Sequence, residues 1–174
     1  MGTIRTGWEG RFFEDFEVGD IYRCRYGRTV TEADNIQFTL LTNNSNQIHF
    51  NNDYGKRTPW GRCLVNSALT LAIVAGMGVA DVSENGFALG WDEIQLPNPL
   101  FAGDTLYSES EVLEVRTSRS RPGQGIVKVE TRGYNQAGQL VIRYRRSVMV
   151  WTRAAAPSID IFPVVPVVED GPVP

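Results

Sequence analysis

At 174 residues, 42% hydrophobic and 21% charged, the chain has the make-up of a globular protein and the length of one domain with a real core. A formal net charge of −3 leaves no global basic field to recruit nucleic acid. The two cysteines, Cys24 and Cys63, form no CxxC or Cys/His cluster, which excludes a metal-finger or disulfide framework and makes a reducing cytoplasm the expected compartment.

From Met1 to Phe13 there are charges and glycines but no apolar run of the secretory kind. Phe12 to Tyr26 reads as a loop and then a short strand, with Gly19-Asp20 as the turn. Thr31-Glu32-Ala33-Asp34 reads as a helix start: the Thr31 hydroxyl can cap the first turn and Asp34 stands where a capping-box acid belongs. That helix is expected to end near Thr42, where Asn43-Asn44-Ser45-Asn46 favours turn geometry.

The most hydrophobic stretch, Cys63 to Ala80, is interrupted by Asn66, Ser67 and Thr70 and is barely long enough for a bilayer, so no membrane span is expected. Leu64 to Val79 is apolar on nearly every face and predicts a helix buried all round. A curved sheet wrapped around it would bury it in a chain this small.

Three long strands are predicted beyond it, at Thr105 to Val115, Gly125 to Tyr134 and Leu140 to Trp151. In the last, Ile142, Tyr144, Val148 and Val150 alternate with Arg143, Arg145, Ser147 and Met149. Ser118 to Gln124 connects the first two and Asn135-Gln136-Ala137-Gly138 the last two, giving antiparallel pairs in an α+β domain. Arg143, Arg145 and Arg146 lack basic-aromatic interleaving and are expected on a solvated or interface face, not on nucleic acid. After Arg153, the Pro/Val-rich segment from Ala154 to Pro174 cannot continue the sheet and reads as an extended strap or a tail.

Two places can carry chemistry. His49 is the sole histidine, set just after the polar turn and before the buried helix, and imidazole exchanges protons near neutral pH. Asn44 and Asn46 beside it can position a water or the ring, although a lone histidine also serves structure. At the helix entry, Asn66 and Ser67 precede backbone N–H groups that lack intrahelical acceptors. Those groups and the helix dipole can polarise a carbonyl oxygen, or Asn66 or Ser67 can simply cap the helix.

Four segments, taken in order, resemble the MaoC-like hydratases. Phe12-Phe13-Glu14-Asp15-Phe16-Glu17-Val18-Gly19-Asp20 is similar to the family's opening, and Asn46-Gln47-Ile48-His49-Phe50 to its hydratase signature. Gly61-Arg62-Cys63-Leu64-Val65-Asn66-Ser67 resembles its entry into the central helix, and Pro99-Leu100-Phe101-Ala102-Gly103-Asp104-Thr105-Leu106 its approach to the long hairpin. The resemblance implies a hot-dog fold over residues 1–153, a long central helix wrapped by a curved antiparallel sheet, with 154–174 as an extension. It implies hydration or dehydration of an enoyl-CoA, with coenzyme A part of the substrate and no other cofactor or metal. A homodimer, or an assembly of dimers, with sites near the interface is expected.

Carried over residue by residue, His49 matches the catalytic histidine, Asn46 its supporting asparagine and Ser67 the helix-entry position. Asn44 stands where the family has its acid/base aspartate, Gln47 where proline is common, and Asn66-Ser67 where His-Gly is frequent. An amide cannot accept a proton as a carboxylate does. The run Gly90-Trp91-Asp92-Glu93 through Ser118 to Gly125 resembles the mesaconyl-CoA hydratase-like branch, which implies branched or carboxylated short acyl groups and a basic residue at the acyl end, Arg62 or Arg57. Asp34, Asp53 and Asp92 are candidate distant acids. An acyl-CoA thioesterase and a catalytically silent acyl-CoA binder are the alternatives; no acid lies between Leu64 and Val79 to serve the first, and Asn44 motivates the second.

Overall fold

The computed structural model describes residues 3, 5, 7–158 and 162–163. Two short strands, β1 (Ile21–Arg23) and β2 (Arg28–Thr29), lead into helix α1 (Glu32–Leu41). The predicted start of α1 is realised atom by atom. Thr31 Oγ1 accepts the Asp34 N–H at 3.1 Å, and the Asp34 carboxylate accepts the Thr31 N–H at 2.8 Å. A 3-10 turn at Gln47–His49, helix α2 (Asn52–Lys56) and helix α3 (Ser67–Met77) follow, with a π-helical turn at Val79–Ser83 after α3.

The sheet is antiparallel along β1-β4-β5-β6-β3, with β2 beside β4. The three predicted strands are β4 (Thr105–Thr117), β5 (Gln124–Tyr134) and β6 (Leu140–Trp151), joined by the two turns read from the sequence. A strand that sequence reading did not single out, β3 (Gly86–Gln95), forms one edge against β6.

The period-two pattern aims one face of the sheet at α3. Leu106, Val141, Ile142 and Tyr144 pack with Leu69, Val74 and Met77 in one buried cluster. Val112, Val127, Val129, Val148 and Val150 form a second with Phe16 and Val82. Gly133 sets how close α3 comes: a Cβ there would lie 2.7 Å from Ile142 Cγ2 and 2.8 Å from Val74 Cγ2. Only a residue without a side chain leaves room for that approach.

Two expectations are corrected. The central helix begins at Ser67, because Leu64 bridges to Phe101 and the Val65 N–H bonds to Leu100 O at 2.9 Å. Nor is it buried all round, since Leu69, Thr70, Val74 and Met77 are buried while Ser67, Ala68, Ala72 and Gly76 are exposed. Alanine and glycine count as apolar in the sequence yet present little surface that must be hidden. The second correction concerns the arginines of β6. Arg143 and Arg145 face outward, but Arg146 shares the inner parity of Tyr144 and Val148 and is 3% exposed. Its Nε and Nη2 have no hydrogen-bond partner among the described residues.

Among the described residues no helix is long and apolar enough to cross a membrane, and no group of metal-binding side chains gathers. Beyond β6 the chain turns, with Ala155 N and Ala156 N bonded to Thr152 O, and Arg153 pairs with Asp15 at 2.8 Å. Most of the extension from 154 to 174, expected as a strap or a tail, lies outside the described residues.

Candidate active site

The segment from Asn43 to Phe50 is held by its own side chains. Asn44 Oδ1 accepts the Asn46 N–H at 3.0 Å, and Asn46 Oδ1 accepts the Ile48 N–H at 3.2 Å, which caps the 3-10 turn that presents His49. Such side-chain-to-backbone bonds let a short polar run take a defined shape without strand or helix. The Leu64 N–H donates to Ile48 O at 3.0 Å, so this segment lies along the approach to α3. Gly55 of α2 fits against the same approach, where a Cβ would lie 2.7 Å from Cys63 N.

The imidazole of His49 is half-buried, with Nδ1 3.0 Å from the carbonyl oxygen of Leu64. A carbonyl only accepts, so this contact places the proton of the neutral ring on Nδ1 and leaves the lone pair on Nε2. A ring held this way can take a proton at Nε2 and give it back.

Asn66, 3% exposed, caps α3: its Oδ1 accepts the Ala68 N–H at 2.9 Å and its Nδ2 donates to Thr39 Oγ1 at 3.2 Å. It is turned inward, and holds the helix start in place. Ser67, the first residue of α3, is exposed, and its N–H has no acceptor among the described residues. The capping reading of the helix entry thus holds for Asn66, and it leaves the Ser67 N–H uncommitted.

His49 and Ser67 open into two different clefts of the single chain. The His49 cleft is also lined by Glu32, Asn35, Arg62 and Cys63. The Ser67 cleft is lined by Trp60, Leu64, Thr70, Asn98 and Leu100 and contains no charged residue. Leu64 stands between them, its carbonyl on the histidine and its residue in the second cleft.

Arg62 lies in the His49 cleft with its guanidinium 3.7 Å from the centre of the Phe101 ring. Arg57 is ion-paired with Asp53, which occupies both of those candidates outside either cleft. Asp34 is consumed by Thr31 and by Arg28 at 2.8 Å; the Arg28 bond, then the Thr31 bonds, pull its carboxyl down to about 2. Asp92 stands on the exposed edge strand β3. None of the three aspartates lines the His49 cleft.

Two residues there went unnoticed in the sequence. Glu32 is the one acid among the residues lining the His49 cleft. Burial, and then the charge of Glu32, pushes the Cys63 thiol up, away from thiolate chemistry. Asn35 is 2% exposed and bonded three ways. Its signal was an amide inside an amphipathic helix with Thr39 one turn on, a polar pair on one face that has to bond something.

A family model described as mesaconyl-CoA hydratase matches residues 2–160. A mesaconyl-CoA hydratase from Cereibacter sphaeroides is 34% identical over 151 residues, covering 86% of this chain and 44% of that protein. The chain thus spans under half the length of the curated relatives it matches. Among solved structures, a MaoC-like dehydratase from Rhodospirillum rubrum superposes with a TM-score of 0.74 at 28% identity, covering 83% of this chain and 99% of that one. A Mycobacterium tuberculosis protein described as a double hotdog fold gives a TM-score of 0.74 at 19% identity over 89% of this chain and 47% of that one, a likeness of fold alone. The helix-on-sheet architecture is the hot-dog fold.

Proposed function

The chain belongs to the mesaconyl-CoA hydratase family, and from that premise we propose that it adds water to, or removes it from, the double bond of a short enoyl-CoA. The observation that carries this reading is the His49 Nδ1 contact to Leu64 O, which frees Nε2 for proton exchange. In the hydration direction Nε2 takes a proton from water as its oxygen bonds to Cβ of the enoyl group. In this proposal the thioester reaches past Leu64 from the His49 cleft, and as the electrons of the double bond move toward its oxygen the Ser67 N–H and the start of α3 stabilise the developing charge. The imidazolium then delivers its proton to Cα, restoring the thioester and the neutral ring. No cofactor enters this sequence, because coenzyme A arrives with the substrate.

Asn44 takes the role of water-holder. Its Oδ1 is committed to the Asn46 N–H, so its amide N–H groups are what remain to meet an oxygen. Arg62, in the His49 cleft and stacked on Phe101, offers the cation that a carboxylated acyl group needs, consistent with a branched C4–C5 dicarboxylic thioester. Asn46 and Asn66 serve by fixing the two backbone segments.

The working unit in this proposal is a homodimer, or an assembly of dimers. The long edge strand β3 exposes Phe87, Leu89, Trp91 and Ile94, and an unpaired apolar edge invites a second copy. The open small-residue stripe of α3 gives that copy a second close surface. Residues 1–153 form the hot-dog unit and 154–174 an extension from it. Free, half-buried Cys24 and Cys63 suit a cytoplasmic setting.

The test is a hydration assay with mesaconyl-CoA and crotonyl-CoA on wild type and His49→Ala. Wild type is expected to consume the enoyl thioester absorbance, and the variant to lose about a hundredfold or more in rate. Turnover that survives His49→Ala, or free thiol release in place of hydration, overturns the proposal.

A further inference from the structure

A hydratase built this way has to hold two things still at once: the ring that moves the proton and the N–H that receives the charge. They stand on different segments, one in a 3-10 turn and one at a helix start, and open into different clefts. We propose that Asn35, on α1, is the positioning residue that locks these two segments to each other; the proposal rests on the hydratase reading of His49 and Ser67.

The geometry is that of one carboxamide with both of its N–H groups and its oxygen engaged. Asn35 Nδ2 donates to His49 O at 2.7 Å and to Leu64 O at 2.9 Å, while Oδ1 accepts the Asn66 N–H at 2.8 Å. Each partner belongs to the candidate machinery. His49 O is the main chain of the histidine. Leu64 O is the carbonyl that also receives His49 Nδ1. Asn66 is the cap whose own amide aims the first turn of α3, next to the Ser67 N–H.

Two carbonyls need donors and one N–H needs an acceptor, and at this reach a short carboxamide alone supplies both. An aspartate keeps the acceptor but turns two attractive contacts repulsive. A serine is too short to reach all three. One turn along α1, Thr39 Oγ1 takes the Asn66 amide, so α1 grips the α3 cap by its backbone and by its side chain. Asn35, Thr39 and Asn66 are all buried, and an unmade bond among them leaves a buried group unsatisfied. Removing the Asn35 amide therefore loosens the Leu64 carbonyl that fixes the histidine proton and the N–H beside the thioester oxygen in one step.

His49 is the sole histidine of the chain, so its imidazole gives one unambiguous set of nitrogen resonances. The experiment compares full-length wild type with Asn35→Asp and Asn35→Ser, each checked for a cooperative thermal melt, by 15N NMR of the neutral imidazole without substrate and by steady-state kinetics. Wild type is expected to carry its proton on Nδ1. The variants are expected to show a mixture of tautomers and a kcat lower by about ten- to a hundredfold, with KM little changed. A folded variant that keeps the wild-type imidazole spectrum and wild-type kcat overturns the inference, as does a wild-type ring protonated on Nε2. Because the spectrum is read without substrate, a tautomer change in the variants together with an inactive wild type supports the Asn35 lock while sinking the hydratase reading.

Discussion

Buried polar side chains pack against both ends of α3, yet the two ends are built to opposite standards. At the N-terminal end Asn35, Thr39 and Asn66 bond one another and the backbone. At the C-terminal end Arg146 Nη2 lies 3.8 Å from where a Cβ on Gly78 would stand, as does Ser110 Oγ, which bonds Thr131 Oγ1 at 2.8 Å. There the guanidinium keeps two nitrogens without a partner among the described residues, and burial pulls its pKa down. A satisfied network defines one arrangement of its backbone; an unsatisfied buried cation mainly costs stability. The end that does chemistry in the proposed mechanism is the end whose buried side chains are bonded, with the Ser67 N–H left over for a ligand.

The sharpest way to break this comparison is Ser67→Pro. Proline suits the first position of a helix, and Asn66 before it already has the extended ψ of 130° that a following proline requires. The fold should survive while the N–H disappears. The rate of hydration is expected to fall about a hundred- to a thousandfold with the melting temperature nearly unchanged, and an unchanged rate would remove the backbone N–H from the mechanism.

A smaller effect, of opposite sign, is expected at the other end. Arg146→Met replaces a buried, under-bonded cation by an apolar chain of similar length. Denaturant melts should show stability unchanged or raised by about 1 kcal/mol or more. A loss beyond about 3 kcal/mol would mean that the guanidinium is compensated after all and that the two ends are equals.

The smallest effect concerns α1, which carries Asn35. The Asp34 carboxyl is held near 2 by Arg28 and Thr31, below its unfolded value of about 4. A depressed acid contributes stability above its unfolded pKa and loses it as the pH falls through its folded one. Asp34→Asn should cost about 1 kcal/mol at neutral pH, and the gap to wild type should close between about pH 4 and pH 2. A gap independent of pH would assign the effect to shape instead of charge.

Much of this was legible in the chain because it is written locally. The Thr31/Asp34 cap, the alternation of β6 and the turn at Asn135 each need only a few consecutive residues, and His49 stood out as the single imidazole. What escaped reading depends on pairing across the fold. Leu64 is as apolar as the helix it precedes, and only its bridge to Phe101 keeps it extended. Arg146 stands beside Arg143 and Arg145 as one more charge in the sequence, and only strand parity sends it inward. β3 hides behind two glycines, although Phe87, Leu89 and Trp91 do alternate. Asn35 is ordinary in sequence, and its three partners lie 14 to 31 residues away.

The notch at Gly133 has a mechanical meaning. Val74, which rests in it, is seven residues along α3 from Ser67, about 10 Å at the helical rise. The helix is clamped at its cap, and at this bare spot Val74 settles against the strand as a beam rests on a fulcrum. Even the single methyl group of an alanine at 133 would act as a wedge, tilting the far end while every residue around His49 stayed as it was. The alignment of the two clefts is therefore set in part by an absent side chain on a strand that belongs to neither.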